Sequence, residues 1–291
     1  MLQAFLSVLD VSRSFAGRMR DKLWVPTTVE LEPDWTRLCK QAPDERLVGR
    51  LVEMSAMGDE WAAEATDRLP AMVRRFVERN LPEGALPTVT RVSQRGSMWR
   101  APGSKPMGFT AVAEYGVRSV AFSWRAKFPV AGQIAWLSIV DAYEETGGRM
   151  DGRIWGLLPF MRTRGDEVEV GELSRYMSET PWTPHSIIGN RDLEWREAGE
   201  RVVTVATSVG PRPVELTFEF DGEGDISSCF MADRPRQVGK GSVPTPWRGE
   251  FADYTRLEGG MRMPRYGKVR WELPDGPFVY WEGEVTGFST A

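Results

Sequence analysis

Apolar positions in the first third of the chain recur at helical spacing. Leu47, Leu51, Met54 and Met57 follow one another at intervals of three and four, which predicts an amphipathic helix over about residues 44–66 with Asp44 as its N-cap. A second helix is predicted over 70–80. There Met72, Val73, Phe76 and Val77 form an apolar stripe, and Arg74, Arg75, Glu78 and Arg79 face water. The glycine and two prolines of Leu81-Pro82-Glu83-Gly84-Ala85-Leu86-Pro87 close this region. Residues 1–84 read as an N-terminal helical segment packed on the main domain. Its opening stretch sets Leu2, Phe5, Leu6, Val8 and Leu9 ahead of Arg13, Arg18 and Arg20. That pattern predicts another amphipathic helix, with weak membrane-surface contact as a second use.

The period changes at Val89. Alternating or mixed apolar runs at 89–100, 108–115, 120–128, 134–144 and 149–160 are separated by glycine and proline turn signals. A helix is predicted over 167–179. Strand-like runs resume at 192–197, 201–208, 214–220, 226–232, 248–257, 261–272 and 279–286. Asp221-Gly222-Glu223-Gly224 and Pro274-Asp275-Gly276 suit hairpin turns. About ten to twelve strands with one interrupting helix predict an α+β, mainly antiparallel β class. The architecture is one large curved sheet or open barrel over residues 85–291, with the inserted helix plugging or lining its concave face. Sheets of this kind hold apolar ligands.

Composition narrows the function classes. The chain has twelve tryptophans, a density that suits either a thick β core or the wall of an apolar cavity. A net charge of −4, with acidic residues interrupting the basic ones, argues against nucleic acid as a partner. No apolar run is long enough to predict a membrane-spanning helix. The N-terminus has no basic start or small-residue cleavage site, so a cytoplasmic location is expected. Cys39 and Cys229 read as free buried thiols. His185 is the one histidine and cannot build an ordinary zinc site or find a serine in a Gly-x-Ser-x-Gly turn. Neither a metal nor a cofactor is expected.

Candidate chemistry gathers on the inserted helix. Positions 172, 175, 176 and 179 share a face and present acid, base, phenol and acid. Glu179 would act as general acid or base, Arg175 would orient a carboxylate or tune Glu179, and Tyr176 would donate a proton or hydrogen bond. Pro181 stops the helix, and Trp182, turned off its axis before Pro184, would stack on a flat ligand. A purely structural reading stands beside this one: Arg175 and Glu179 pin the helix as an ion pair, and Trp182 packs on the sheet. A second cluster runs from Pro246 to Tyr254. On a strand, Trp247, Gly249, Phe251 and Asp253 share one face, and Arg248, Glu250 and Tyr254 the other. Asp253 beside two aromatics needs a cationic partner, for which Arg175 is one candidate. Asp141 and Tyr143 repeat the pattern on an earlier strand. Trp124, Trp182, Trp247, Asp253 and Tyr254 are the expected ligand contacts.

The strings Leu69-Pro70, Val73-Arg74-Arg75-Phe76 and Leu81-Pro82, then Arg175-Tyr176-x-x-Glu179-x-Pro181-Trp182-x-Pro184, then Pro246-Trp247, Tyr254 and Met263-Pro264 resemble an uncharacterised bacterial family known as a domain of unknown function, over roughly residues 68–285. The order of strands and helix is similar to the lipoprotein-carrier (Lol-type) fold, an open β barrel that cradles acyl chains. The violacein-pathway rearrangement protein is similar to that fold and works without a cofactor. These resemblances imply a small-molecule binding protein with an apolar, aromatic or acyl ligand in the concave face. The alternative is a cofactor-independent enzyme of small-molecule biosynthesis (cyclase, isomerase or dehydratase) using Glu179, Arg175 and Tyr176. Carriers of this type are exported, and the missing export signal favours a cytoplasmic ligand handler.

Overall fold

A computed structural model describes residues 66–82, 84–130, 135–239, 241–257 and 259–291. The helix predicted over 44–66 (save its last residue), the N-terminal amphipathic helix and Cys39 lie outside the described residues. Helix α1 (Ala71–Asn80) precedes six strands: β1 (Val89–Met98), β2 (Met107–Gly116), β3 (Phe122–Val130), β4 (Ala135–Glu144), β5 (Gly147–Ile154) and β6 (Leu158–Thr163). Helix α2 (Asp166–Ser178), a 3-10 turn (Thr180–Trp182) and helix α3 (Pro184–Gly189) follow. Seven strands complete the chain: β7 (Glu194–Gly199), β8 (Val202–Thr207), β9 (Val214–Phe220), β10 (Ile226–Val238), β11 (Gly241–Arg256), β12 (Arg262–Leu273) and β13 (Gly276–Thr290).

All thirteen strands join one antiparallel sheet in the order β6-β5-β4-β3-β2-β1-β13-β12-β11-β10-β9-β8-β7. Two meanders are thus joined along a single seam, β1 against β13, where Thr90 faces Thr290 and Met98 faces Trp281. The helical segment connects the two edge strands, β6 and β7, and this placement decides the shape. Helix α2 touches β4 and β5 in one meander and β8, β9 and β10 in the other. In a flat sheet β5 and β10 would lie about 38 Å apart, eight strand spacings. A helix about 10–12 Å across reaches both only if the sheet curls around it. The result is a curled half-barrel whose hollow is plugged by α2.

Local chemistry explains the plug. Gly165 (φ 113°) turns the chain into α2, and Asp166, Glu167 and Glu169 fill its first turn, where negative charge suits the positive end of the helix dipole. Pro181 prevents a further α turn, and Glu179 leaves the helix at φ −91°. Pro184 then opens α3 at a position that needs no backbone N–H. This short helix stands where the sequence predicts only an exit turn.

Two further strand boundaries differ from expectation. The run 149–160 is not one strand: Trp155 (φ 52°) and Gly156 (φ 71°) turn it back on itself, giving the hairpin β5–β6. The runs 226–232 and 248–257 extend into one long hairpin, β10–β11, in which Pro235 faces Pro244. Prolines mark this stretch as a loop by sequence, yet they are tolerated at ladder positions whose N–H is not required. Helix α1 is fastened to the sheet by Phe76, which meets Phe220 and Tyr254 edge-on at 6.0 and 6.1 Å. Beside it the buried Asp225 receives Arg79 and, at 2.6 Å, Arg262.

Candidate functional site

Between α2 and the inner wall of the sheet lies a cavity of about 230 Å³. Its wall is aromatic and thioether-rich, with Trp182, Trp271, Trp281, Phe128, Met150 and Met161 among the lining residues. Its floor is one face of α2. Glu172, Arg175 and Glu179, at spacings of three and four, all reach it.

Arg175 is the hub of the floor. Its Nε donates to Glu179 Oε1 at 2.9 Å, and one terminal nitrogen donates to Asp141 Oδ2 at 2.7 Å. The guanidinium lies over the Trp124 ring at 4.5 Å and near Phe122 at 5.6 Å. Burial alone would weaken its hold on the proton, but Glu179, Asp141 and Glu172 outweigh burial and keep it charged. Glu179 uses its other oxygen to accept from the Tyr115 hydroxyl. Burial, and then the neighbouring Glu179, push the Tyr115 phenol well above its usual range. Burial also raises the Asp141 carboxyl to about 6, against the pull of Arg175. Glu172 is raised well above the ordinary carboxylate range, by burial first and by Asp141 second.

The predicted site residues divide into two groups. Arg175, Glu179, Trp182, Trp124 and Trp247 converge on the cavity. Trp182 donates to the Pro264 carbonyl at 2.9 Å and meets Phe251 edge-on. It passes so close to β12 that a Cβ on Gly267 would lie 2.6 Å from its ring, so only glycine fits there. Trp124 donates to Gln94 and Trp247 to the Tyr280 hydroxyl, each at 2.9 Å.

Tyr176, Asp253 and Tyr254 do not line the cavity. Tyr176 lies about 100° around the helix from Arg175; its hydroxyl donates to the Gly116 carbonyl and accepts from Asn190, both at 2.7 Å. Asp253 adopts a left-handed φ of 59° and is exposed, so its expected pairing with Arg175 is corrected: Arg175 pairs with Asp141 and Glu179. The same backbone twist breaks the strand alternation, so Phe251 meets Trp182 while Tyr254 meets Phe76 and donates to the Ile226 carbonyl at 2.9 Å. His185 is buried and stacked on Phe288, and burial lowers it to about 4. Cys229 is a free, buried thiol that burial pushes up to about 12.

Comparison with known families covers most of the chain. A family model matches residues 60–283. The chain belongs to DUF6544, a family of unknown function. No curated protein matches this DUF6544 chain. Among solved structures it is similar to a DUF1329 family protein from Desulfovibrio piger, at 9% identity and a TM-score of 0.44, covering 80% of this chain and 94% of that one. It is also similar to a domain from Vibrio parahaemolyticus described as an outer membrane lipoprotein-sorting protein, at 8% identity and a TM-score of 0.42, covering 79% and 93%. A β-barrel-like DUF1849 protein from Brucella abortus matches at 11% identity and a TM-score of 0.22, covering 70% and 98%.

Three groups around the α2 floor stand outside the sequence-based expectations; Asp141 and Arg234 line the cavity, and Tyr115 sits behind Glu179. Tyr115, Asp141 in its role as an Arg175 partner, and Arg234 arrive from strands distant in sequence. Arg234 lies over the Trp247 ring at 4.4 Å, donates to the Gly171 carbonyl at 3.1 Å and reaches the Tyr280 hydroxyl at 3.4 Å. The only sequence signal for it is an arginine two residues before Arg236 in a run read as a loop. Among the described residues no His, Cys, Asp and Glu cluster is arranged to hold a metal ion. No described helix is long and apolar enough to cross a membrane.

Proposed function

We propose that this DUF6544 protein binds one small apolar or aromatic molecule, an acyl chain included, in the hollow between α2 and the curled sheet. The single observation that carries this reading is the cavity itself: an aromatic and thioether wall closed at its base by ionisable side chains from one helix. Apolar walls with a few convergent polar groups are the usual make-up of ligand pockets. Trp182, Trp124 and Trp247 are the proposed aromatic contacts. Trp124 and Trp247 each have an arginine over one face, which fixes their rings without filling the hollow. An acid–base enzyme on the same scaffold has less support, because both Glu179 oxygens are engaged and Tyr176 is spent on Gly116 and Asn190.

The test is a titration of the full chain with the uncharged fluorescent probe N-phenyl-1-naphthylamine. Saturable binding at one probe per chain, with quenching of tryptophan emission, is expected. A signal that never saturates would remove the proposal.

A further inference from the structure

Glu172 stands apart from the other charged groups of the floor. It is 3% exposed, it lines the cavity, and among the described residues it has no hydrogen-bond or ion-pair partner. Arg175 answers Asp141 and Glu179, and the glutamate one turn earlier is left out. Close by, Arg234 holds the carbonyl of Gly171, the residue before Glu172, and has no carboxylate within salt-bridge distance among the described residues. A ligand that occupies the hollow strips water from both groups. An apolar ligand would leave them unsatisfied in a dry site, which is costly.

We propose that Glu172 and Arg234 form a head-group subsite that receives the carbonyl oxygen of an uncharged amphiphile, whose apolar body lies along the tryptophan wall. This rests on the ligand-binding reading and names the class of ligand. The balance of charge selects an uncharged head. Arg175 is shared by the carboxylates of Glu179 and Asp141, Asp141 also feels the charge of Arg234, and burial beside Asp141 favours the protonated form of Glu172. With Glu172 protonated, these five groups sum to zero charge. A carboxylate or an ammonium would upset that balance in a low-dielectric place, whereas a carbonyl accepts from the Glu172 O–H and an Arg234 N–H without adding charge.

The experiment displaces bound N-phenyl-1-naphthylamine from the full chain at pH 7.5 with three probes of similar chain length: 2-undecanone, decanoate and decylamine. The ketone is expected to compete about tenfold more tightly than either charged probe, the discrimination typical of paired against unpaired buried polar groups. Glu172→Leu is expected to erase the ketone's advantage while the fluorescent probe still binds, and Glu172→Gln, which retains an N–H donor, to keep most of it. Equal competition by the three probes, or a preference for the amine or the carboxylate, overturns the subsite and leaves the cavity reading standing. The wild-type ranking decides the matter even if Glu172→Leu fails to fold. Absence of any fluorescent-probe binding overturns both.

Discussion

The guanidinium of Arg175 lies 4.5 Å from the centre of the Trp124 ring while its edge donates to Asp141 and Glu179. One side chain therefore links the helix to β3 by stacking and to β4 by an ion pair. Removing it leaves two buried carboxylates without their shared cation. Arg175→Leu is expected to lose about 3–5 kcal/mol of stability, the usual cost of breaking a buried ion pair. Arg175→Lys should recover little, since an ammonium cannot reproduce the planar fork or the stacking. Urea unfolding of the three proteins checks this, and a lysine variant as stable as wild type would contradict it.

The sole histidine offers an unambiguous spectroscopic handle. Burial lowers His185 to about 4, so its imidazole is neutral through the ordinary range. Its NMR resonances should show no titration between pH 5.5 and 8. A midpoint near 6.5 would mean that the ring is open to water rather than held against Phe288.

Two pH effects oppose each other. Asp141 is raised to about 6, so between about pH 4 and 6 the folded chain binds more protons than the unfolded one. By that group alone, stability falls as pH rises through this window and stays reduced above it, by about 3 kcal/mol. His185 has a folded value below its unfolded one; its contribution is present above about pH 6.5 and is lost as pH falls towards 4. Glu172, raised well above the carboxylate range, adds a second falling contribution, so the wild-type profile should fall from pH 4.5 to 6 and Asp141→Asn should flatten it. Urea midpoints across that range test the sign.

Gly267 and Trp182 define the tightest approach of plug and wall. Gly267→Ala must displace the indole and is expected to cost about 1–3 kcal/mol, as overpacked sites do. It should also weaken N-phenyl-1-naphthylamine binding, because Trp182 would move into the hollow. Unchanged stability together with unchanged probe affinity would count against the geometry.

Glu179→Gln is expected to leave probe affinity within about threefold, because glutamine still accepts from Arg175 and its amide can donate to the Tyr115 hydroxyl, which stands outside the cavity lining. The same titration reads this outcome, and a drop beyond tenfold would give Glu179 a direct part in ligand contact.

How much of this could be read from residues alone depended on the range of the interaction. The strands announce themselves through alternation, as in Val202–Thr207 and Val214–Phe220, where burial alternates residue by residue. The polar helix face was readable at Glu172, Arg175 and Glu179 because helical spacing is local. Tyr176 reads onto the same face because adjacent positions straddle its border, and packing against Gly116 turns it away. Asp253 departs from its expected face because strand alternation presumes an extended backbone, which its positive φ violates. Pro235, Pro244 and Pro246 concealed the tip of the longest hairpin. Tyr115 and Arg234 carry no local signal, since curling of the sheet alone brings them to the helix.

The seam between β1 and β13 has a consequence for biosynthesis. Val89 and Thr88 both donate to the carbonyl of Ala291, at 2.9 and 2.8 Å, and β13 is the middle strand of the thirteen. The two meanders cannot be stitched together until the residues past Gly276 have left the ribosome. Nascent chains halted earlier would carry two unpaired central edges, an invitation to chaperones and to aggregation.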